Sequence, residues 1–285
     1  MNFDAQLKEY SAAMDDFVLN AIPGVCAQAE VLRDAMAYSL SSGGKRIRPV
    51  LCLAFAELFG ASARDALWYA SAVEFVHTYS LIHDDLPCMD NDDMRRGKPS
   101  SHIQFGEATA LLTGDALLTH AFTCIVRSGL PSDRDQQAVA ELSKYAGIDG
   151  MIGGQIFDLA GEQTAYDLDT LMLMDSMKTG ALITAACCLG CVAAGVSEIP
   201  DAVRRFGMET GLAFQIRDDI LDYLEGEDNS DIVSGKSTYV SLLGIEDAQA
   251  CAARHTEKAL EALTELPGDT AFLRELTMKL LDRTV

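Results

Sequence analysis

Uninterrupted helical periodicity is the sequence feature that most limits what this chain can fold into. Apolar residues recur at i, i+3, i+4 and i+7 from end to end, in windows rich in Ala, Leu and Met, and strand-like alternation is scarce. Only 7 prolines occur in 285 residues, and short breaks containing Gly, Ser or Pro separate segments of ordinary helix length. The sequence therefore predicts an all-α protein of about ten or more helices joined by short loops.

The breaks between the helices also bear on domain organisation. None of them is long or polar enough to be an interdomain linker, and no internal repeat of fixed period occurs. Because 49% of the residues are apolar, one large core is affordable at this length. A single all-helical domain over residues 1–285 is the simplest interpretation.

Charge and hydropathy exclude several functions. The chain has 22 Lys and Arg against 43 Asp and Glu, a formal charge of −21, which argues against nucleic-acid or acidic-membrane binding through the overall field. Residues 1–17 are too acidic for a secretory or transit peptide. The longest uncharged stretch, Thr179 to Ser197, is largely small residues, which predicts a buried helix and no membrane span. We therefore expect a cytoplasmic protein.

The 8 cysteines are expected to be free thiols, because most lie inside apolar helical segments. Cys188 and Cys191 have the spacing of half a zinc site, but no second pair is near, so helix packing is the preferred interpretation. Cys88 lies inside an acidic motif, where a small spacer is a simpler role than a redox sensor.

The first acidic motif runs from His83 to Lys98 and contains five Asp residues within ten positions. Carboxylates crowded beside an apolar helix require a compensating cation, and oxygen ligands of this kind suit Mg²⁺ or Mn²⁺. Residues 65–84 read as a helix that Pro87 cannot continue, so Asp90 must return through a turn to join Asp84. His77 lies seven residues before Asp84 and shares its helix face.

The second acidic motif lies in a strongly helical segment, where Gln215, Asp218 and Asp222 project from one stripe. A lone motif of this kind is usually a solvated acidic face. Two such motifs in one apolar helical chain favour a shared metal site.

Cations precede or flank several predicted helices. Gly43 and Gly44 are followed by Lys45, Arg46 and Arg48 just ahead of a helix whose first turn suits Pro49, an arrangement that favours phosphate binding. Further cations beside breaks are Arg95, Arg96, Lys178 and Lys236. Together with the acidic motifs they predict a pocket for two polyphosphorylated molecules, one bound through metal and one through direct ion pairs.

With these motifs the chain resembles the trans-isoprenyl diphosphate synthase family, most closely its bacterial farnesyl-diphosphate-forming members. The resemblance extends over nearly the whole chain, through GGKRIRP, EFVHTYSLIHDDLPCMDNDDMRRGKPSSH, GGQIFDL, KTGAL, FQIRDDILD and GKSTYVSLLG, in that order. It implies the isoprenoid synthase fold, with helices around a deep central cavity, a homodimer, and three Mg²⁺ ions, with Mn²⁺ as a substitute. The implied reaction joins isopentenyl diphosphate to dimethylallyl and then geranyl diphosphate, giving all-trans farnesyl diphosphate and pyrophosphate.

The resemblance also implies roles for individual residues. The metal ligands would be Asp84, Asp90 and Asp218, with Asp85, Asp219 and Asp222 supporting them or ligating through water. Contacts to isopentenyl diphosphate would be Lys45, Arg48, His77 and Arg96. Contacts to the allylic diphosphate would be Arg95, Lys178, Thr179, Gln215 and Lys236.

Product length depends in this family on the residues four and five positions before the first Asp, here Ser80 and Tyr79. Tyr79 is large enough to close the cavity, which together with the Leu-Pro insertion after Asp85 predicts farnesyl diphosphate. A geranylgeranyl diphosphate synthase is the main alternative. A class I terpene cyclase fits less well, because it would not need two aspartate motifs and GGKRIRP. A non-catalytic partner subunit or acidic ion buffer would be expected to have lost part of a motif.

One segment departs from the family pattern. Between Asp222 and Lys236 the family usually has a longer loop with an additional Gly-Lys, whereas residues 223–235 here are acidic and contain no Lys or Arg. One diphosphate contact would then be missing.

Overall fold

The computed structural model describes residues 2–161, 164–226 and 237–281, and these are almost entirely helical, which confirms the predicted fold class. The first half of the chain contains α1 (Phe3–Asn20), α2 (Glu30–Leu40), α3 (Ile47–Leu58), α4 (Leu67–Asp84), α5 (Ser101–Phe105), α6 (Glu107–Val126) and α7 (Ser132–Ala146). The second half contains α8 (Met151–Gly161), α9 (Leu168–Asp175), α10 (Ala181–Ala193), α11 (Asp201–Glu225), α12 (Tyr239–Leu243), α13 (Ile245–Thr264) and α14 (Ala271–Leu281). Short 3₁₀ turns, Ala27–Ala29 and Ala63–Ala66, precede α2 and α4.

Several helices begin where a side chain satisfies backbone N–H groups that have no partner inside the helix. The Asn2 side chain accepts from the Asp4 amide at the start of α1, and Asp167 accepts from the Thr170 amide at the start of α9. Thr238 and Ser241 form a reciprocal capping box at the start of α12. Local sequence therefore fixes where each of these three helices begins.

Helix α10 forms the centre of the core. All of its residues are buried, and it packs against α3, α4, α7 and α11. Its small Ala, Gly and Cys side chains let these neighbours approach closely, which is the packing role predicted for the Cys188 and Cys191 pair. All eight cysteines are free, and only Cys26 and Cys88 are exposed.

Two helical stretches of the described chain pass a test of length and composition for a membrane span. The window in Leu168–Ala193 is 83% buried inside the protein, and that in Glu107–Val126 is 44% buried. Burial in the core accounts for the apolar composition of the first stretch. Such stretches do not by themselves establish a span.

A two-stranded hairpin interrupts the helical pattern after the first acidic motif. Strands β1 (Met94–Arg95) and β2 (Lys98–Pro99) are antiparallel, with Arg95 opposite Lys98. The sequence does not predict this hairpin, because strands of two residues are too short to show alternation. The hairpin places Arg96 at its turn.

Candidate active site

A cavity of about 1000 Å³ opens between the helices that carry the motifs. It brings together residues from distant parts of the chain: the loop before α3, the C-terminal half of α4, the hairpin, α8, the segment before α10 and the middle of α11. The predicted site residues among its walls are Lys45, Arg48, His77, Tyr79, Ser80, Asp84, Asp90, Arg95, Arg96, Lys178, Thr179, Gln215 and Asp218.

The first acidic motif supplies Asp84 and Asp90 to the cavity. Helix α4 ends at Asp84, and the Asp90 amide donates to the Asp84 carbonyl oxygen at 2.9 Å, so the turn expected after Pro87 is present. Burial raises the pKa of Asp84 to about 6; Asp90 and Asp158 add to this rise, whereas Lys178 and Arg95 oppose it. This acidic part of the cavity wall therefore favours an added cation.

Asp85 plays a different part from its neighbour. Its side chain is buried and accepts from Arg95 Nε at 2.9 Å, and Arg95 also pairs with the exposed Asp92 at 3.3 Å. Arg95, rather than Asp85, lines the cavity. Asp85 thus holds the Arg95 guanidinium in place from behind.

The second acidic motif divides in the structure. Gln215 and Asp218 line the cavity, but Asp219 and Asp222 do not. Asp219 Oδ2 accepts from the Tyr239 amide at 3.0 Å, which ties α11 to the start of α12. Asp222 is exposed one turn beyond Asp218. The predicted single stripe therefore reaches the cavity only through its first two members, and ligation by Asp222 stays a prediction.

Lys178 and Thr179 lie in a π-helical turn, Ser176–Gly180, between α9 and α10. Lys178 Nζ lies 2.5 Å from Asp158 Oδ2 on α8, and Thr179 Oγ1 donates to Gln215 Oε1 at 3.1 Å. Such wide turns occur often at functional sites, because they displace side chains from the regular helix register. Lys236, and residues 227–235 of the predicted short loop, lie outside the described residues.

A second group of residues in the cavity wall is cationic. Arg48 is half-buried, its Nε has no hydrogen-bond partner among the described residues, and its Nη1 lies 3.4 Å from His77 Nε2. Burial lowers the pKa of Arg48 to about 10; Glu74 opposes this, and nearby Arg96 adds to it. Burial and the surrounding arginines also lower the pKa of His77 well below its usual value. An anion bound here would relieve each of these penalties.

A close backbone approach positions Arg96. Its guanidinium donates to the Gly43 carbonyl oxygen and lies so near Gly44 that a Cβ there would be 2.6 Å from Nη1. Gly44 also has a φ of 122°, which side chains of L-residues rarely adopt. Arg96 itself is left-handed, with a φ of 53°. The glycines of GGKRIRP therefore make room for a cation supplied by the hairpin.

The predicted chain-length residues also lie in the wall. The Tyr79 side chain is only 5% exposed, and its hydroxyl has no hydrogen-bond partner among the described residues. Its ring packs edge-on against His83, with 5.6 Å between centroids. Ser80 lies next to it and donates to the His77 carbonyl oxygen.

Several acidic residues near the site were not predicted from the sequence. Glu74 lines the cavity and pairs with the buried Arg46, whereas Asp158 pairs with Lys178. Asp175 is buried beside Tyr239, and burial together with Asp219 raises its pKa to about 7. In the sequence, each of these residues is a single acid on an apolar helix face, which indicates that it needs a partner. The sequence does not indicate which residue that partner is.

The described residues fit a divalent cation only in part. Asp84, Asp90 and Asp218 offer hard oxygen donors to one cavity, and the raised pKa of Asp84 shows that added positive charge is favoured there. Yet no three His, Cys, Asp or Glu side chains in the described part of the chain converge on a closed metal site. The carboxylates are therefore suited to an ion that takes further oxygen ligands from a substrate.

The depressed pKa of His77 gives a testable pH dependence of stability. When the folded state lowers the pKa of a histidine, its contribution to stability is complete above the pKa of the unfolded state, about 6.5. That contribution is lost as the pH falls, because the unfolded state then binds a proton that the folded state does not. We expect the stability difference between the wild type and His77→Gln to shrink from pH 7.5 to pH 5.5 in thermal unfolding. A difference that stays constant with pH would show that His77 is not held neutral.

Comparison with known proteins identifies the class. Residues 29–275 match the polyprenyl synthetase family, and the chain belongs to that family. It is 42% identical to a farnesyl diphosphate synthase of Bacillus subtilis, over 88% of this chain and 87% of the relative. It is equally 42% identical to a chloroplastic geranylgeranyl pyrophosphate synthase of Capsicum annuum, over 92% of this chain and 73% of the relative.

A solved structure agrees with these relatives. The crystal structure of an FPP/GFPP synthase from Zymomonas mobilis superimposes with a TM-score of 0.89 at 35% identity, covering 98% of this chain and 99% of that one. The chain thus has the isoprenoid synthase fold and is a prenyltransferase of isoprenoid biosynthesis. The relatives include synthases of both farnesyl and geranylgeranyl products, so they do not determine the product length.

Proposed function

We propose that this protein is a farnesyl diphosphate synthase, which condenses isopentenyl diphosphate with dimethylallyl and then geranyl diphosphate. The observation that carries the proposal is one cavity whose wall holds both an acidic and a cationic group of residues. In the acidic group, burial and neighbouring carboxylates raise the pKa of Asp84. In the cationic group, burial and nearby Arg96 lower the pKa of Arg48 and of His77. A metal-bound diphosphate beside the acidic group and a second diphosphate in direct contact with the cationic group would supply the charge that each group favours.

Asp84, Asp90 and Asp218 would hold Mg²⁺ when the allylic diphosphate is bound, with three ions in the full complex and Mn²⁺ as a substitute. The ions would neutralise charge that develops on the departing diphosphate. Asp219 and Asp222 would support these ligands or bind the ions through water.

The chain's own cations stabilise the same charge. Asp158 and Asp85 hold Lys178 and Arg95 in the cavity wall, so both cations would already be in place to stabilise the leaving diphosphate when the allylic C–O bond breaks. Thr179 donates a hydrogen bond to Gln215 in the cavity wall, and both side chains would contact the allylic diphosphate. The double bond of isopentenyl diphosphate, held by Lys45, Arg48, His77 and Arg96, attacks that cation. Proton loss to the released pyrophosphate completes the step, and no protein nucleophile is needed.

We also propose that the protein is a cytoplasmic homodimer. The resemblance to bacterial prenyl synthases supports this. Size-exclusion chromatography with light scattering tests the oligomeric state.

Activity is tested with purified protein, Mg²⁺, isopentenyl diphosphate and dimethylallyl diphosphate. We expect pyrophosphate release and farnesyl diphosphate as the main product by mass spectrometry. Absence of pyrophosphate release would contradict the enzyme assignment and leave a binding subunit. A main product of geranylgeranyl diphosphate would contradict the assigned chain length alone, and a cyclic hydrocarbon would indicate a terpene cyclase.

The Tyr79 ring accounts for the proposed product length. We expect Tyr79→Ala to raise the ratio of geranylgeranyl to farnesyl product on the order of tenfold or more, because the lost ring opens room for another isoprene unit. Tyr79→Phe is the matched control. It keeps the ring and removes only a hydroxyl that has no partner among the described residues, so its product should stay farnesyl diphosphate. If Tyr79→Ala still stops at farnesyl diphosphate, another group closes the cavity.

A further inference from the structure

The Tyr79 ring is positioned by its contact with a neighbouring aromatic ring. No hydrogen bond from a described residue anchors its hydroxyl, although the side chain is only 5% exposed. Its aromatic neighbour is His83, one helical turn later on α4, whose ring lies at 76° to that of Tyr79 with 5.6 Å between centroids. Both rings line the cavity. The place of Tyr79 therefore depends on what holds His83.

His83 is held from the side of α6. Its Nε2–H donates to the Leu111 carbonyl oxygen at 3.0 Å. The imidazole also lies against the backbone at Gly114, one turn of α6 beyond Leu111. A Cβ at Gly114 would lie 2.8 Å from His83 Cε1 and nearer still to Nε2 and Cδ2, so any side chain there would overlap the ring. Gly114 is buried in the middle of a regular helix, where glycine otherwise costs stability relative to alanine.

We propose that Gly114 and His83 determine product length by setting the position of the Tyr79 ring. This inference rests on the proposed function, since it concerns the product of that reaction. The missing side chain at Gly114 lets the imidazole lie flat against α6 and bond to Leu111. The seated imidazole then supports the edge of the Tyr79 ring, and His83 is a positioning residue rather than a catalytic one.

The arrangement predicts opposite changes for two substitutions. Gly114→Ala pushes the imidazole away from α6 and into the cavity, so products become shorter and the ratio of geranyl to farnesyl product rises. His83→Ala removes the support of Tyr79 and opens space towards α6, so the ratio of geranylgeranyl to farnesyl product rises. We expect each ratio to change on the order of tenfold, the usual effect of changing a pocket by a few carbon atoms.

The double variant, Gly114→Ala with His83→Ala, separates this inference from a general disturbance of the site. The new methyl group at position 114 then occupies part of the space that the imidazole leaves. The product should return towards farnesyl diphosphate. Without the imidazole, Gly114→Ala has no ring to displace, so it should no longer raise the share of geranyl product. Two unrelated disturbances would instead add, and Gly114→Ala would raise that share as much without His83 as with it.

Product ratios from purified full-length proteins, with dimethylallyl and isopentenyl diphosphates and Mg²⁺, test the inference. Gly24→Ala is the matched control, because nothing lies within 4 Å of a Cβ at that position; its product should match that of the wild type. Unchanged ratios in both single variants, or shifts of the same sign, would overturn the inference. If Gly114→Ala does not fold, the share of geranylgeranyl product made by His83→Ala still tests the inference, and an unchanged share would overturn it. A wild-type protein that forms no prenyl diphosphate would overturn the proposed function instead.

Discussion

Replacing Asp84 with Asn is expected to lower kcat/KM on the order of 10³-fold, because the amide keeps the shape of the carboxylate but cannot neutralise Mg²⁺. The free energy of unfolding, in contrast, should stay the same or increase. Burial raises the pKa of Asp84 to about 6, so the fold disfavours its charged form, and a neutral side chain relieves that penalty at neutral pH. Without metal, the variant should unfold at the same or a higher temperature than the wild type.

Asp93→Asn provides the matched control. Asp93 belongs to the same acidic motif but is exposed and is absent from the cavity wall, so its replacement should leave kcat/KM and its Mg²⁺ dependence unchanged. Steady-state kinetics at several Mg²⁺ concentrations and thermal unfolding with and without pyrophosphate separate the two positions. Equal losses in both variants would mean that the motif acts through its total charge. A large loss of stability in Asp84→Asn would mean that the carboxylate is structural.

The fold class followed from the sequence because helical periodicity is a local property. The same holds for the turn that brings Asp90 back to Asp84, since Pro87 prevents helix continuation whatever surrounds it. The hairpin at Met94–Pro99 could not be predicted, because its two-residue strands are defined only by the hydrogen bonds that pair them. Local signals therefore sufficed for helices and turns but not for short pairings.

The spacing of the motifs predicted which residues lie near the cavity. It predicted the role of each residue there less well. Gln215, Asp218 and Asp222 share a helix stripe, but Asp222 lies exposed beyond the cavity. Asp85 and Asp158 hold Arg95 and Lys178, roles that depend on elements far apart in sequence or on a hairpin that was not predicted. Arg46 and Arg48 are two residues apart in one basic run, and only the tertiary structure distinguishes them.

Arg46 belongs to a buried ion pair that has a structural role. It is buried, it bonds to Asp15 Oδ1 at 3.0 Å and to the Leu40 carbonyl oxygen at 2.5 Å, and it pairs with the buried Glu74. Arg46→Met would leave Glu74 buried without this partner. Breaking one side of a buried pair costs about 3 kcal/mol or more. We therefore expect a clear drop in unfolding temperature.

Arg48 has the opposite character, because burial and Arg96 lower its pKa and its Nε has no hydrogen-bond partner among the described residues. Arg48→Met should therefore unfold at the same or a higher temperature than the wild type. Its KM for isopentenyl diphosphate should rise tenfold to a hundredfold, on the order of one charge-assisted hydrogen bond, with little change in KM for the allylic substrate. Added pyrophosphate should stabilise the wild type more than this variant. If Arg48→Met unfolds as early as Arg46→Met, or if both substrate KM values rise alike, Arg48 belongs to the scaffold and not to the isopentenyl diphosphate site.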